Sequence, residues 1–121
     1  MHHRKLIDSF GYAFAGVKYA FRNNQNLWIH VAIAIVIIFA SILFRINGFE
    51  MGILGVIILL VIASEMINTA IEEMVDLITQ EHRREAKIAK DVAAGMVLVT
   101  ALGSIIVGML IFIPHILKLL K

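Results

Sequence analysis

The chain has 121 residues, 60% of them hydrophobic, with a formal net charge of +2. So much apolar surface on so short a chain excludes an ordinary soluble domain and predicts a small integral membrane protein. The sequence has no cysteine, which excludes disulfide bonds.

Residues 4–22 are predicted to form an amphipathic helix. Apolar side chains recur there at steps of three and four and so line one helix face, while most basic side chains lie elsewhere. The apolar positions are Ile7, Phe10, Phe14, Val17 and Phe21. A basic, aromatic helix of this kind suits a membrane surface. Packing of the same face against the rest of the protein is the alternative, and both can hold together.

The rest of the chain is predicted to form three transmembrane helices. Together with the N-terminal helix they make one membrane domain, residues 1–121. The first span is residues 27–44, and the second is residues 51–79, which includes a cytoplasmic extension because the segment exceeds the bilayer thickness. Residues 80–91 are predicted to form a charged linker. The third span is residues 92–113, and Pro114 is expected to end it. The fold class is therefore an all-α membrane protein.

The basic residues predict the orientation of the spans. Residues 4–22 carry four lysines and arginines and residues 80–91 carry another four, whereas the opposite side has three, namely Arg45, Lys118 and Lys121. By the positive-inside rule, the N-terminus and the 80–91 linker lie in the cytoplasm.

Four polar side chains share one face at the cytoplasmic end of the second span: Glu65, Asn68, Glu72 and Asp76. Steps of three, four and four residues place them within an arc of roughly 80° on a helix. Counted from residue 51, Glu65 lies about 21 Å along the helix and Glu72 about 31 Å. Ionisable groups at membrane depth cost roughly 2.5–3.5 kcal/mol each and therefore usually carry function. The simpler interpretation is a helix that leaves the bilayer here.

These residue types suit phosphoryl chemistry on a membrane lipid. Glu65 is the better candidate for a general base because its depth matches a lipid hydroxyl, and Glu72 is the better candidate for binding Mg²⁺ beside a phosphate. Asn68 lies between them and could orient either one. Lys90 could neutralise phosphate charge and Asp91 could cap a helix or bind metal, although capping and interfacial placement are the simpler explanation of these two residues taken alone.

His30, in the first span, is interpreted as a packing or hydrogen-bonding residue rather than a metal ligand. The basic residues all lie next to predicted spans, so a membrane surface explains them and no nucleic-acid partner is expected.

Two motifs resemble those of one family. Residues 65–76 resemble the pattern E-x-x-N-(S/T)-A-I-E-x-x-V-D of the small prokaryotic diacylglycerol kinase family, which includes the undecaprenol kinases of Gram-positive bacteria. Residues 89–95 match its pattern A-K-D-x-(A/G)-(A/S)-(G/A). The resemblance covers nearly the whole chain.

The resemblance implies a homotrimer in the bacterial cytoplasmic (inner) membrane, with each active site at a subunit boundary. It implies transfer of the γ-phosphate of MgATP to a lipid hydroxyl. By the same resemblance Glu65 is the catalytic base with Asn68 beside it, Glu72 is a metal ligand, and Asp76 supports the site. The residues implied to contact ATP are Tyr12, Glu81, Arg83, Lys90 and Asp91.

One position departs from the family pattern. The family usually has E-x-N-x-R-I-H before the first span, with the glutamate as a second metal ligand. Here Asn24 stands at the position of that glutamate and Trp28 at that of the arginine. An amide oxygen can ligate Mg²⁺ without contributing charge, so Asn24 stays a candidate ligand, with weaker metal binding or one metal fewer expected.

Diacylglycerol, converted to phosphatidic acid, is the predicted acceptor, and undecaprenol is the alternative. A second class of protein also explains Glu65: a non-enzymatic oligomer with an intramembrane proton or ion site. A catalytically inactive relative that acts as a scaffold is a third alternative, which the substitution at Asn24 favours.

Overall fold

The computed structural model describes residues 5–121, and this part of the chain consists of four α-helices with no strand. In chain order they are α1 (Leu6–Asn23), α2 (Gln25–Leu43), α3 (Gly48–Ile78) and α4 (Arg84–Leu119). The all-helical prediction is confirmed, and Arg4, the first residue of the predicted N-terminal helix, lies outside the described residues.

Three of these helices, α2, α3 and α4, are long and apolar enough to cross a membrane, which confirms the three predicted spans. With 31 residues, α3 is about 46 Å long and exceeds a hydrocarbon core of about 30 Å. Counted from Gly48, Glu65 lies about 26 Å along α3 and Glu72 about 36 Å. Against a hydrocarbon core of about 30 Å that starts at Gly48, Glu65 would lie inside the core and Glu72 beyond it.

The junction between α1 and α2 is a single residue, Asn24. Its backbone N–H donates to the carbonyl of Ala20 at the end of α1 (2.9 Å), and its side chain accepts from the backbone N–H of Asn26 at the start of α2 (3.0 Å). Across the junction, the Trp28 indole N–H donates to the Phe21 carbonyl (2.6 Å), and the two rings meet edge to face at 4.9 Å. These contacts fix the angle between the two helices.

The turn between α2 and α3 follows from a Schellman motif. The backbone N–H of Arg45 donates to the carbonyl of Ile42 (3.2 Å), and that of Ile46 to the carbonyl of Ser41 (3.0 Å). This pattern needs a left-handed residue, and Arg45 adopts it with φ 54°. Ile46 is buried in an apolar cluster with Leu54 of α3 and Ile111 of α4. The predicted second span begins at residue 51, but α3 already begins at Gly48, where Asn47 caps it.

The helix α4 is longer at both ends than predicted. The prediction of a linker over residues 80–91 was wrong for most of its length, since α4 begins at Arg84 and leaves only residues 79–83 between the helices. The segment after Arg84 is rich in good helix formers, and Lys87 and Asp91 pair along it at 2.6 Å.

The prediction that Pro114 ends the third span was also wrong, because α4 continues to Leu119. A proline costs a helix one N–H and strains the preceding turn, but neighbouring helices can hold the helix together at membrane depth. Here α4 packs along α3, and the ring Nε2 of His115, immediately after the proline, lies 3.3 Å from the Glu50 carboxylate of α3.

Candidate active site

Glu65 is the most deeply buried ionisable side chain among the described residues, with 2% of its surface exposed. It lies on α3, and both of its carboxylate oxygens are hydrogen-bonded by side chains of the α1–α2 junction and α2. The Asn24 amide Nδ2 donates to Oε2 (2.8 Å), and the His30 ring Nε2 lies 3.2 Å from Oε1. An ionised carboxylate only accepts hydrogen bonds, so opposite an ionised Glu65 the donor of this contact is the His30 ring Nε2.

Two hydroxyl side chains hold the backbone around Glu65. Thr69 donates its hydroxyl to the Glu65 carbonyl (3.1 Å) and accepts a second hydrogen bond from the Asn24 amide (3.0 Å). Ser64, also buried, lies 3.0 Å from the Thr100 hydroxyl of α4. Glu65 is therefore fixed through contacts to α2 on one side and, one residue earlier, to α4 on the other.

One turn beyond Glu65, Asn68 and Glu72 form the next pair on the same face of α3. The Asn68 amide donates to Glu72 Oε1 (3.3 Å). The other end of that amide, Asn68 Oδ1, is buried and accepts no hydrogen bond from any described residue. A buried amide oxygen without a donor is a place where a hydroxyl, a water molecule or a cation gains a contact.

The C-terminal end of α3 and the N-terminal end of α4 are joined by an ion pair. The Lys90 ammonium donates to Asp76 Oδ1 at 2.7 Å, and both side chains are about half exposed. Arg83 pairs with Glu81 at 3.1 Å in the short connection between the helices. These residues line a groove of about 590 Å³ together with Asp91 and Arg84.

The helix α1 contacts the same end of α3 through the side chain of Tyr19. The Tyr19 hydroxyl donates to the Glu73 carboxylate at 2.7 Å, and this bond raises the pKa of Tyr19 above its ordinary value of 10.0. Tyr12, the tyrosine expected at ATP, lies two helical turns earlier on α1 and is 60% exposed.

The structure therefore joins Glu65 to Asn24, Asn68 to Glu72, and Asp76 to Lys90, while Glu81 and Arg83 pair beside the groove. Sequence reasoning missed the roles of Thr69, Thr100 and Tyr19 as partners of these residues. It did interpret His30 as a hydrogen-bonding residue, and the contact to Glu65 agrees. The detectable signal was a polar side chain within an apolar run, which both His30 and Thr100 provide.

Within residues 5–121, no three histidine, aspartate or glutamate side chains are grouped closely enough to hold a metal ion by themselves. Mg²⁺ commonly takes only one or two protein carboxylates and completes its shell with water and substrate phosphates. A carboxylate such as Glu72 together with a free amide oxygen such as Asn68 Oδ1 fits that kind of binding.

These features define a multi-pass helical protein. It has a buried, doubly hydrogen-bonded glutamate and a charged groove at one end of the same helices. Residues 11–112 match the prokaryotic diacylglycerol kinase family. Because this match covers most of the chain, the chain belongs to the prokaryotic diacylglycerol kinase family, whose members are ATP-dependent lipid kinases. The resemblance read from residues 65–76 and 89–95 is confirmed.

Curated relatives carry two different names. The chain is 40% identical over 116 residues to a diacylglycerol kinase of Synechocystis, a match that covers 95% of this chain and 66% of the relative. It is 39% identical over 110 residues to an undecaprenol kinase of Bacillus subtilis, covering 91% of this chain and 89% of the relative. A diacylglycerol kinase of Pseudomonas aeruginosa is 30% identical over 91 residues, covering 75% and 74%.

Proposed function

We propose that this chain transfers the γ-phosphate of ATP to the hydroxyl of diacylglycerol and so forms phosphatidic acid. The observation that carries the proposal is the burial of Glu65 on α3, the helix whose C-terminal end forms a charged groove with the start of α4. Such an arrangement would let a lipid hydroxyl at the interface meet a nucleotide in the cytoplasm.

In the proposed reaction, the oxygen of the lipid hydroxyl attacks the γ-phosphorus of ATP and ADP leaves. Glu65 accepts the proton of that hydroxyl during the attack. A carboxylate suits this role when it is within hydrogen-bond reach of the hydroxyl and has a lone pair free. Asn68 lies one turn away, and its unpartnered Oδ1 is available to accept a hydrogen bond from the reacting hydroxyl or from a bound water molecule. Phosphoryl transfer otherwise depends mainly on positioning and on charge neutralisation.

The nucleotide is proposed to bind at the groove between the cytoplasmic ends of α3 and α4. Lys90 supplies positive charge for the phosphates, and Asp76 holds its ammonium in place at 2.7 Å. Asp91 and the connecting residues Glu81 and Arg83 line the same groove. Tyr12 is proposed to contact ATP from α1.

Of the two candidate metal ligands, Glu72 fits Mg²⁺ better than Asn24. Glu72 lies beyond membrane depth and has an amide partner, Asn68, whose oxygen is free. The amide oxygen of Asn24 already accepts the backbone N–H of Asn26. When bound, Mg²⁺ neutralises the phosphate oxygens of ATP, and Glu72 would hold it from the protein side.

We further propose that α1 lies on the membrane surface and that three copies form a homotrimer in the cytoplasmic membrane, with the N-terminus in the cytoplasm. The excess of basic residues near α1 and the start of α4 supports this orientation. The three long helices expose large apolar side chains over much of their surface, which lipid or neighbouring copies can cover.

Undecaprenol is the alternative acceptor, and the Bacillus subtilis relative carries that name. Both lipids offer a primary alcohol near the interface. A non-enzymatic proton or ion site at Glu65 explains that residue but leaves Glu72, Lys90 and Asp91 unexplained.

The test is transfer of labelled phosphate from MgATP by the purified protein in mixed micelles, with diacylglycerol and undecaprenol offered separately. Glu65→Gln should lower the rate by about 100-fold or more if Glu65 is the base. Glu50→Gln makes the same change at the opposite end of α3 and should leave the rate unaltered. A folded parent protein that labels neither lipid with excess magnesium present would refute the proposed activity.

A further inference from the structure

The side chain of Asn24 uses both ends of its amide within the protein. Its Oδ1 accepts the backbone N–H of Asn26 and so caps α2 (3.0 Å). Its Nδ2 donates to Glu65 Oε2 at 2.8 Å and to the Thr69 hydroxyl at 3.0 Å. The two donor hydrogens of the amide are therefore both directed at α3.

His30 contacts the other oxygen of the same carboxylate, Oε1, at 3.2 Å. The two donors come from the cap and the second turn of one helix, α2, and they hold opposite oxygens of a side chain that is almost completely buried. A carboxylate held at both oxygens cannot rotate about its terminal bond. Each oxygen keeps a second lone pair, so the group can still accept a proton from a substrate hydroxyl.

We propose that Asn24 and His30 are positioning residues that orient Glu65 for the reaction, and that Asn24 does so through its amide N–H instead of ligating Mg²⁺. This inference rests on the proposed function of Glu65. The family usually carries a glutamate at position 24. In this chain, the residue at that position orients the base, Glu65, and does not bind the metal.

The chemistry of the contact explains why an amide suits position 24. At 2.8 Å from Glu65 Oε2, a carboxylate would place two negative charges in contact at membrane depth, where repulsion is poorly screened. An amide donates to the same oxygen without charge. The substitution Asn24→Asp keeps the capping oxygen, removes the N–H donor and adds a negative charge. A residue that donates to Glu65 and a residue that ligates Mg²⁺ should therefore respond to it in opposite ways.

The experiment measures kcat and the KM for MgATP of Asn24→Asp in lipid micelles, together with Mn²⁺ binding in the presence of ADP by electron paramagnetic resonance. A positioning role predicts a fall in kcat of about 100-fold, since small displacements of a reacting group cost about that much. It also predicts an unchanged KM for MgATP and no tighter binding of Mn²⁺. Tighter Mn²⁺ binding, or an unchanged kcat, would overturn the inference.

Two further variants at these positions separate positioning from folding. Asn24→Ser keeps a capping oxygen and adds no charge. If Asn24→Asp does not fold, kcat and Mn²⁺ binding of Asn24→Ser decide between positioning of Glu65 and ligation of Mg²⁺: positioning predicts a lower kcat with unchanged Mn²⁺ binding, and weaker Mn²⁺ binding would overturn it. His30→Gln retains a side-chain N–H donor and should keep much more of kcat than His30→Leu. Equal kcat values for these two variants would overturn the role of His30.

Asn47 provides a matched control at the opposite end of α3. It too caps a helix, accepting the Glu50 backbone N–H (2.8 Å), and its amide donates to the Glu50 carboxylate. Asn47→Asp should therefore lower stability without changing kcat or Mn²⁺ binding. A parent protein without any transfer activity would refute the proposed function itself, whereas an active parent with unaffected Asn24 and His30 variants would refute only this inference.

Discussion

Lys90 and Asp76 join the start of α4 to the end of α3 through a 2.7 Å ion pair, although the two residues are 14 positions apart in the chain. The short connection of residues 79–83 brings the start of α4 back beside the end of α3. The pair therefore holds one positive charge at a defined position beside the groove.

Replacing Lys90 by methionine should impair the use of ATP. Hydrogen bonds to charged groups contribute about 1.5–3 kcal/mol, so we expect the KM for MgATP to rise or kcat to fall by a combined factor of about 10 to 100. Steady-state kinetics in mixed micelles provide the measurement. Lys118→Met removes the same charge near the far end of α4 and should leave both constants unaltered; equal effects of the two substitutions would argue against a nucleotide site at Lys90.

Replacing Ser64 by alanine should weaken the packing of α3 on α4. Ser64 lies 3.0 Å from the Thr100 hydroxyl, and hydrogen bonds between membrane helices contribute about 0.6 kcal/mol on average. We expect the free energy of unfolding to fall by about that amount, measured by denaturation in mixed detergent micelles. Ser104→Ala is the control, because the Ser104 hydroxyl donates to the Ala101 carbonyl of its own helix; its effect should be smaller.

Tyr19 should ionise at higher pH than an ordinary tyrosine, because its hydroxyl donates to the Glu73 carboxylate. Since the folded-state pKa is raised, the contact stabilises the fold fully below pH 10.0 and is lost as the pH rises through the folded-state pKa. A titration of tyrosinate absorbance should show one of the two tyrosines ionising late. Tyr19→Phe should remove this late component; if the late component persists, the hydrogen bond does not govern it.

Replacing Arg45 by glycine should stabilise the protein. Arg45 is held at φ 54°, a left-handed conformation that costs a side chain about 1 kcal/mol and costs glycine almost nothing. The free energy of unfolding should rise by up to that amount in the same micelle assay. Ala86→Gly, inside α4, should instead lower it by about 1 kcal/mol. A loss of stability for Arg45→Gly would show that the arginine side chain stabilises the fold by more than its left-handed backbone conformation costs.

The helices were largely predictable because long apolar runs determine them: the predicted first span, residues 27–44, nearly coincides with α2 (Gln25–Leu43). The ends of α4 were not predictable from local rules. Charged residues after Arg84 continue the helix outside the predicted span, and the residues around Pro114 are held by α3, a tertiary contact that no local pattern contains.

The candidate site divides in the same way. The shared face of Glu65, Asn68 and Glu72 follows from helical spacing alone, so the sequence predicted it. The contacts of Asn24 and His30 with Glu65 depend on the angle and register of α2 against α3, which spacing does not determine. Asn24 was therefore interpreted from a family pattern as a candidate metal ligand, and its amide donors were overlooked.

The order of helices along the chain also matters for how Glu65 enters the membrane. A lone carboxylate at that depth costs roughly 2.5–3.5 kcal/mol on insertion. Its two side-chain donors belong to Asn24 and His30, which precede α3 and are synthesised first. When α3 emerges from the ribosome, the groups that hydrogen-bond its buried acid are therefore already present at the bilayer, and the newly made helix can pair with them as it inserts.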